Sequence, residues 1–122
     1  GLQINKAVVI GSGNSVINIV NTFIEKIGLP NGVAILMKNN FEKKYHFEME
    51  SFSAYVAAKD VKIPVLVIHD TDDEDIPVSE AYHLAEHLSD KELLITNQLG
   101  HRKILGDSKV IRKIVEFLLI KK

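Results

Sequence analysis

Asp73 and His101 are the residues whose types and positions could do chemistry together. Each lies in the loop that follows a run rich in apolar residues, at 63–68 and at 92–96. If these runs form neighbouring parallel strands, about 4.8 Å apart, the acid and the imidazole can meet beyond the carboxyl ends of the strands. The carboxylate would then fix the tautomer and orientation of the imidazole, which would serve as general base and afterwards as general acid.

The acidic residues around Asp73 have a simpler interpretation than metal binding. Asp70, Asp72, Glu74 and Asp75 lie within a few positions of it. Their spacing lacks the Gly and the distal Glu of a calcium-binding EF-hand loop. We therefore expect a solvated acidic turn and no metal site.

The other histidines and a glycine-rich loop could also suggest ligands. His83 and His87 have the i, i+4 spacing of a metal-binding pair, but no third ligand is evident, so an exposed helix face is the better interpretation. His69 ends a buried strand and is expected to pack there with one hydrogen bond. Residues 11–15 place Gly-x-Gly before a helix, as phosphate sites do, but Val16 stands where a third Gly would be. The sequence predicts no cofactor.

An alternation of strands and helices must position these residues. Strands are expected at 6–10, 63–68 and 92–96, and helices at 16–27, 79–88 and 108–118, with a mainly helical stretch between 31 and 60. Asn14 or Ser15 can cap the first helix, which Gly28 and Pro30 end. Because the two kinds of element alternate, the sequence predicts an α/β fold of three layers with a short parallel sheet.

Residues 63–77 resemble the acid-loop strand of the α/β-hydrolases. That family's usual form is an apolar strand followed by Gly-x-x-Asp-x-x-Val-Pro, in which the Asp is the catalytic acid. Asp73 falls on this Asp, Ile76 and Pro77 follow at the right spacing, and Asp70 stands where the family usually has Gly. The resemblance implies that Asp73 is the acid of a catalytic triad.

The histidine follows the same family pattern. In the family it lies in a Gly-His pair after the next strand, which Gly100-His101 matches 28 residues after Asp73. The resemblance implies that His101 is the catalytic base. It is strong over residues 61–120 and weaker over 1–60, where it implies a core strand followed by a helical cap.

One motif of the family is missing from this sequence. Its nucleophilic Ser lies in Gly-x-Ser-x-Gly, upstream of the acid, and no such pentapeptide occurs in these 122 residues. Residues 11–15, Gly-Ser-Gly-Asn-Ser, contain the same types in another order. We therefore expect residues 1–122 to be the C-terminal portion of a hydrolase domain, with 14–60 as a cap-like insertion and the nucleophile-bearing portion absent.

The resemblance implies a serine-nucleophile hydrolase of ester or related acyl substrates, with Asp73 and His101 as its catalytic residues. The chain alone is expected to be inactive, and its unpaired strand edge is expected to favour a homo-oligomer. A noncatalytic α/β module that binds a ligand or partner is the alternative. A receiver-like or nucleotide-binding domain is a third, although only three strands are evident and no acidic pair follows the first.

Composition excludes several other classes of protein. The formal net charge of −1 gives no electrostatic reason to expect binding to nucleic acid or to an anionic membrane. The absence of Cys excludes disulfides, thiolate catalysis and Cys-based zinc sites. No apolar run approaches the roughly 20 residues of a membrane helix, and the first residues show no signal-peptide pattern. We expect a cytoplasmic globular protein.

Overall fold

The computed structural model describes residues 1–121. Its strands are β1 (Ala7–Ile10), β2 (Val65–Asp70) and β3 (Lys91–Thr96), and its helices are α1 (Val16–Lys26), α2 (Gly32–Tyr45), α3 (Ala54–Ala58), α4 (Ser79–His87), α5 (Gly100–Lys103) and α6 (Ser108–Leu119). Short 3-10 helices lie at Met49–Phe52 and Ile104–Gly106. Within these residues, no helix has the length and apolar character needed to cross a membrane. The predicted strands and helices are all present, to within two residues.

The three strands form one parallel sheet in the order β1-β2-β3. In register, Val8 lies opposite Leu66, and Val67 lies opposite Leu93. All six residues of the central strand, β2, are buried. A strand covered on both faces needs a near-continuous apolar run, and residues 63–68 supply it. The predicted parallel α/β sheet is confirmed.

Alternate residues of β2 contribute to two cores, one on each face of the sheet. Val65 and Val67 pack against α3 and α4, whereas Leu66 and Ile68 pack against α6 and the turn before it. The partners on the first face are Ala58, Ala81, Leu84 and Leu88, and those on the second are Ile104, Val110 and Phe117. This period-two division of side chains produces the three layers.

Residues 14–60 are mainly helical, as the sequence predicts, and α2, which begins at Gly32, is the longest helix of this segment. Ser15 caps α1 by accepting a hydrogen bond from the Asn18 backbone N–H. The aromatic rings of this segment contact one another at tilted or edge-on angles, and all but Phe41 are at least half-exposed, so they form a surface cluster: Phe41, Tyr45, Phe47 and Phe52. Tyr55 packs against α4 instead.

We expect this chain to associate in solution. Among residues 1–121, β1 has a paired strand on one side only, and an open apolar strand edge is a template for association. Ile111, Val115 and Leu118 on α6 are about half-exposed as well. Light scattering over a range of protein concentrations should show a mass of at least two chains. A monomer mass that is independent of concentration would contradict this expectation.

Candidate active site

Three loops meet at the carboxyl edge of the sheet. β1 ends in Gly11, β2 continues into residues 71–78 (the acid loop), and β3 continues into residues 97–103 (the histidine loop). The pairing of β2 with β3 extends to their ends, where Asp70 lies opposite Thr96. Groups from the two loops therefore start within one strand spacing of each other.

Asp73 is a buried carboxylate with a defined orientation. Its Oδ1 accepts hydrogen bonds from the backbone N–H groups of Asp75 and Ile76, at 2.9 and 2.8 Å. Its Oδ2 lies 2.8 Å from Nδ1 of His101. One oxygen is therefore fixed by its own loop, and the other is directed at the histidine.

His101 lies on α5, a single helical turn that the sequence analysis did not anticipate and described as a loop. Because an ionised carboxylate can only accept, the contact with Asp73 places the ring proton on Nδ1. Nε2 then carries the lone pair, and no group among residues 1–121 forms a hydrogen bond with it. The side chain is 38% exposed. The predicted contact between acid and histidine is confirmed, and its geometry leaves a base open to an incoming hydroxyl.

His69 lies next to Asp73 on the buried side of the acid–histidine pair. It is buried, its Nε2 donates to the carbonyl of Ile76 at 2.8 Å, and the same atom lies 3.4 Å from Oδ2 of Asp73. The expectation of a packed histidine with one hydrogen bond is confirmed. Its position next to the acid was missed, although the i, i+4 spacing to Asp73 was visible in the sequence.

Gly11 is a site residue that sequence reasoning also missed. Its φ is +56°, and a Cβ added there would lie 3.3 Å from Nδ1 of His101 and 3.6 Å from Oδ2 of Asp73. The backbone of the β1 loop therefore packs closely against the acid–histidine pair, and a side chain at position 11 would be strained by the positive φ and would press on the His101 ring. The signal available in the sequence was that this loop follows β1, which was predicted to belong to the same sheet as β2 and β3.

Asp70 corrects the prediction of a solvated acidic turn. Its side chain is completely buried and accepts four hydrogen bonds, which come from the hydroxyl of Thr96 and from the backbone N–H groups of Asp72, Leu99 and Gly100. Burial alone would raise the pKa of Asp70, but these four bonds together hold it below its ordinary value of 3.8. The Asp70 carboxylate is therefore ionised and buried, and its hydrogen bonds stabilise the loops of the site.

The prediction holds for the acidic residues further along the loop. Glu74 and Asp75 are exposed, and Asp75 forms an ion pair with Lys26 of α1 at 2.9 Å. The hydrogen bond and the charge of that Lys hold the pKa of Asp75 below its ordinary value. Asp73, Asp75 and His101 also place one ligand atom each within 4.8 Å of one another. The contacts of Asp73 with His101 and of Asp75 with Lys26 hold the groups in this arrangement.

The serines of the first loop have other partners. The Ser15 hydroxyl caps α1, and the Ser12 hydroxyl donates to the Gly13 carbonyl. Neither is bonded to His101 within the described part of the chain. The buried carboxylate of Glu80 accepts from the backbone N–H groups of Asn14 and Ser15, both at 2.7 Å. Glu80 therefore occupies the N–H groups that a phosphate would need.

His83 and His87 lie on α4 as predicted, but they are packed rather than freely exposed. Their rings contact Tyr55 at centroid distances of 4.6 and 5.1 Å. Nδ1 of His83 accepts from the side-chain amide of Asn14 at 2.6 Å. Nδ1 of His87 bonds to the His83 carbonyl at 2.8 Å. The ring contacts with Tyr55 join α3 and α4.

Comparison with known proteins identifies the family. A family model described as TAP-like protein, one of the α/β-hydrolase group, matches residues 46–121, which is more than half of the chain and includes both Asp73 and His101. The chain belongs to the α/β-hydrolase superfamily. The resemblance of the acid-loop and Gly-His motifs to α/β-hydrolases is thereby confirmed. A search of curated proteins gives no match.

Solved α/β-hydrolase structures share the fold at low identity. An acylaminoacyl peptidase from Pyrococcus horikoshii is 15% identical with a TM-score of 0.68, covering 98% of this chain and 21% of its own. An acetyl xylan esterase from Paenibacillus sp. R4 is 16% identical with a TM-score of 0.61, covering 93% of this chain and 37% of its own. A meta-cleavage product hydrolase from Pseudomonas fluorescens IP01 is 16% identical with a TM-score of 0.57, covering 93% and 55%. The chain spans only part of each of these hydrolases.

Substituting Gly11 should separate backbone strain from damage to the acid–histidine pair. Gly11→Ala and Gly28→Ala both place a side chain at a positive φ, but a Cβ at Gly28 meets nothing within 4 Å. We expect each substitution to lower the free energy of unfolding by about 1–2 kcal/mol, measured by urea denaturation. In proton NMR spectra, only Gly11→Ala should shift the resonance of the Nδ1 proton that His101 donates to Asp73. An equal shift of this resonance in the two variants would contradict the close packing at Gly11.

Asp70 should make folding stability depend on pH. Because its pKa is lowered in the folded state, its contribution is fully present above the ordinary carboxyl pKa and is lost as the pH falls through the folded-state value. We expect Asp70→Asn to be less stable than the native sequence at neutral pH, by about 1–3 kcal/mol, with a smaller difference in acid. Urea unfolding at several pH values measures this, with Glu74→Gln as the exposed control. A difference that stays constant down to strongly acid pH would contradict the prediction.

Proposed function

We propose that this chain supplies the acid and the base of an acyl hydrolase, with Asp73 orienting His101 and a Ser nucleophile located outside these 122 residues. The observation that carries the proposal is the 2.8 Å contact between a buried carboxylate and an imidazole whose other nitrogen is open. The membership of the chain in the α/β-hydrolases supports a triad, and its lack of Gly-x-Ser-x-Gly supports a nucleophile that comes from elsewhere.

In the proposed reaction, Nε2 of His101 removes the proton of the serine hydroxyl as its oxygen attacks the acyl carbon. The imidazolium formed is stabilised by Asp73, which stays ionised throughout. Nε2–H then protonates the departing alkoxide, and an acyl-serine ester remains. A water molecule repeats the sequence: His101 takes one of its protons, its oxygen attacks the ester carbon, and the serine leaves with that proton.

We propose esters or related acyl compounds as the substrates. The names of similar structures include an esterase and a peptidase, and a serine–histidine mechanism of this kind acts on such carbonyl groups. The noncatalytic alternative, a module that binds a ligand or partner, is favoured by one observation. No serine hydroxyl contacts His101 within residues 1–121.

We also propose that α1 and α2 of the predicted 14–60 insertion act as a cap over the site, whereas α3 belongs to the layer that covers one face of the sheet. The segment follows β1 and precedes β2. Because the two strands are parallel, its first residues start at the carboxyl edge of the sheet, where the acid–histidine pair lies, and its last residues reach the opposite edge. Lys26 of α1 reaches the acid loop through its ion pair with Asp75. Such a position allows the helices to restrict the access of water and substrate to His101.

The chain alone should show no esterase activity above background. Without the nucleophile, only the oxyanion hole and substrate binding would remain to accelerate hydrolysis, and neither is supplied by the acid–histidine pair. Hydrolysis of a short-chain aryl ester by the purified chain should therefore equal that of His101→Ala. Clear turnover that is lost in His101→Ala would show that a serine within this chain, such as Ser12, acts as nucleophile.

The positive test uses the native protein that contains these residues together with an upstream Gly-x-Ser-x-Gly segment. Because general acid–base catalysis contributes about 10²–10⁴-fold, His101→Ala should lower kcat by that order with little change in KM. His46→Ala, at the exposed residue that caps the end of α2, is the control. Ester hydrolysis that is unaffected by His101→Ala would favour the noncatalytic module.

A further inference from the structure

We infer that Asp70 is a positioning residue for His101: its buried carboxylate holds the backbone of the histidine loop so that the imidazole meets Asp73. The inference rests on the proposed function, because it concerns the same acid–base pair. It assigns a role to a residue that stands where the family usually has Gly, which offers no side-chain acceptor.

The carboxylate of Asp70 connects the two loops through both of its oxygens. Oδ1 accepts from the backbone N–H groups of Asp72 and Gly100, both at 2.9 Å. Oδ2 accepts from the hydroxyl of Thr96 at 2.6 Å and from the backbone N–H of Leu99 at 3.2 Å. Each oxygen thus bonds to the histidine loop, and one of the donors, Gly100, lies directly before His101.

Neighbouring carboxylates extend the same arrangement. Oδ2 of Asp72 accepts from the backbone N–H of Gln98 at 2.5 Å, and Asp73 accepts from the ring of His101. Four successive residues, 98 to 101, are therefore each bonded to a carboxylate from residues 70–73. Only the bond to His101 uses a side-chain donor on the histidine loop; the other three use its backbone.

The backbone of the histidine loop needs such support. Gln98 and Gly100 have φ values of +61° and +64°, and a left-handed conformation is unfavourable for a residue with a side chain. The N–H groups of Leu99 and Gly100 precede or begin α5, where no helical carbonyl can accept from them. Since charged acceptors form the stronger hydrogen bonds, Asp70 stabilises this turn and with it the direction in which His101 points.

The hydrogen bond from Nδ1 of His101 to Asp73 supplies a direct readout. In proton NMR, the rate at which this ring proton exchanges with water reports how persistently the bond is formed, and Asp73→Asn identifies the resonance by removing its acceptor. Asp70→Asn keeps the size of the side chain but replaces one acceptor oxygen by an amide, so it cannot satisfy all four donors. We expect it to exchange the ring proton at least tenfold faster than the native chain.

The control and a second variant separate positioning from general stability. Glu74→Gln removes an exposed carboxylate of the same loop and should leave the exchange rate within twofold of the native value. Thr96→Val removes one donor to Asp70 while keeping the backbone donors, and it should accelerate exchange by a few-fold in a chain whose circular dichroism is unchanged. Thr96→Val therefore carries the test if Asp70→Asn does not fold.

A native exchange rate in folded Asp70→Asn would overturn the inference, and so would a native rate in Thr96→Val if the first variant is unfolded. In a protein that also carries the proposed nucleophile, Asp70→Asn should lower kcat for ester hydrolysis at unchanged KM. The proposed function fails by a different result, namely ester hydrolysis that is indifferent to His101→Ala. The exchange experiment uses no substrate, so it stands whether or not that result is obtained.

Discussion

The parallel pairing of β2 with β3 is the constraint on which the site depends. Both strands reach the same edge of the sheet in register, with Asp70 opposite Thr96. The residues that follow on each chain segment therefore emerge side by side, one strand spacing apart. Because β2 is buried on both faces by the two cores, a shift in this register would expose apolar side chains, and so the core also fixes the relative positions of the acid and the histidine.

Buried negative charge is the second theme of the molecule. Asp70, Asp73 and Glu80 are all buried, and an unpaired ionised carboxylate in such surroundings is strongly unfavourable. Each is satisfied mainly by backbone N–H groups at loop and helix starts, where no carbonyl is available as a partner. The carboxylates and the loops thus stabilise one another, and most of the donors that shape the site belong to the backbone.

The sequence was informative where patterns are local. The apolar run at 63–68 predicted β2, and the spacing of Asp73 and His101 relative to their strands predicted their contact, because both depend only on the order of elements. Asp70 was misjudged because acidic residues are mostly exposed, and its four donors come from residues that lie up to 30 positions away. The contact of Gly11 with the acid–histidine pair and the role of Glu80 were missed because the partners of both residues are distant in sequence.

The two ends of α1 are attached to the rest of the molecule by contacts of different kinds. At its start, the Glu80 carboxylate is buried and bonds to two backbone N–H groups. At its end, Lys26 and Asp75 form an ion pair in which both side chains are about half-exposed, and such a pair contributes at most about 1 kcal/mol and weakens with salt. Rising ionic strength therefore weakens the ion pair at the end of α1, whereas the buried contacts of Glu80 at its start are much less sensitive to salt.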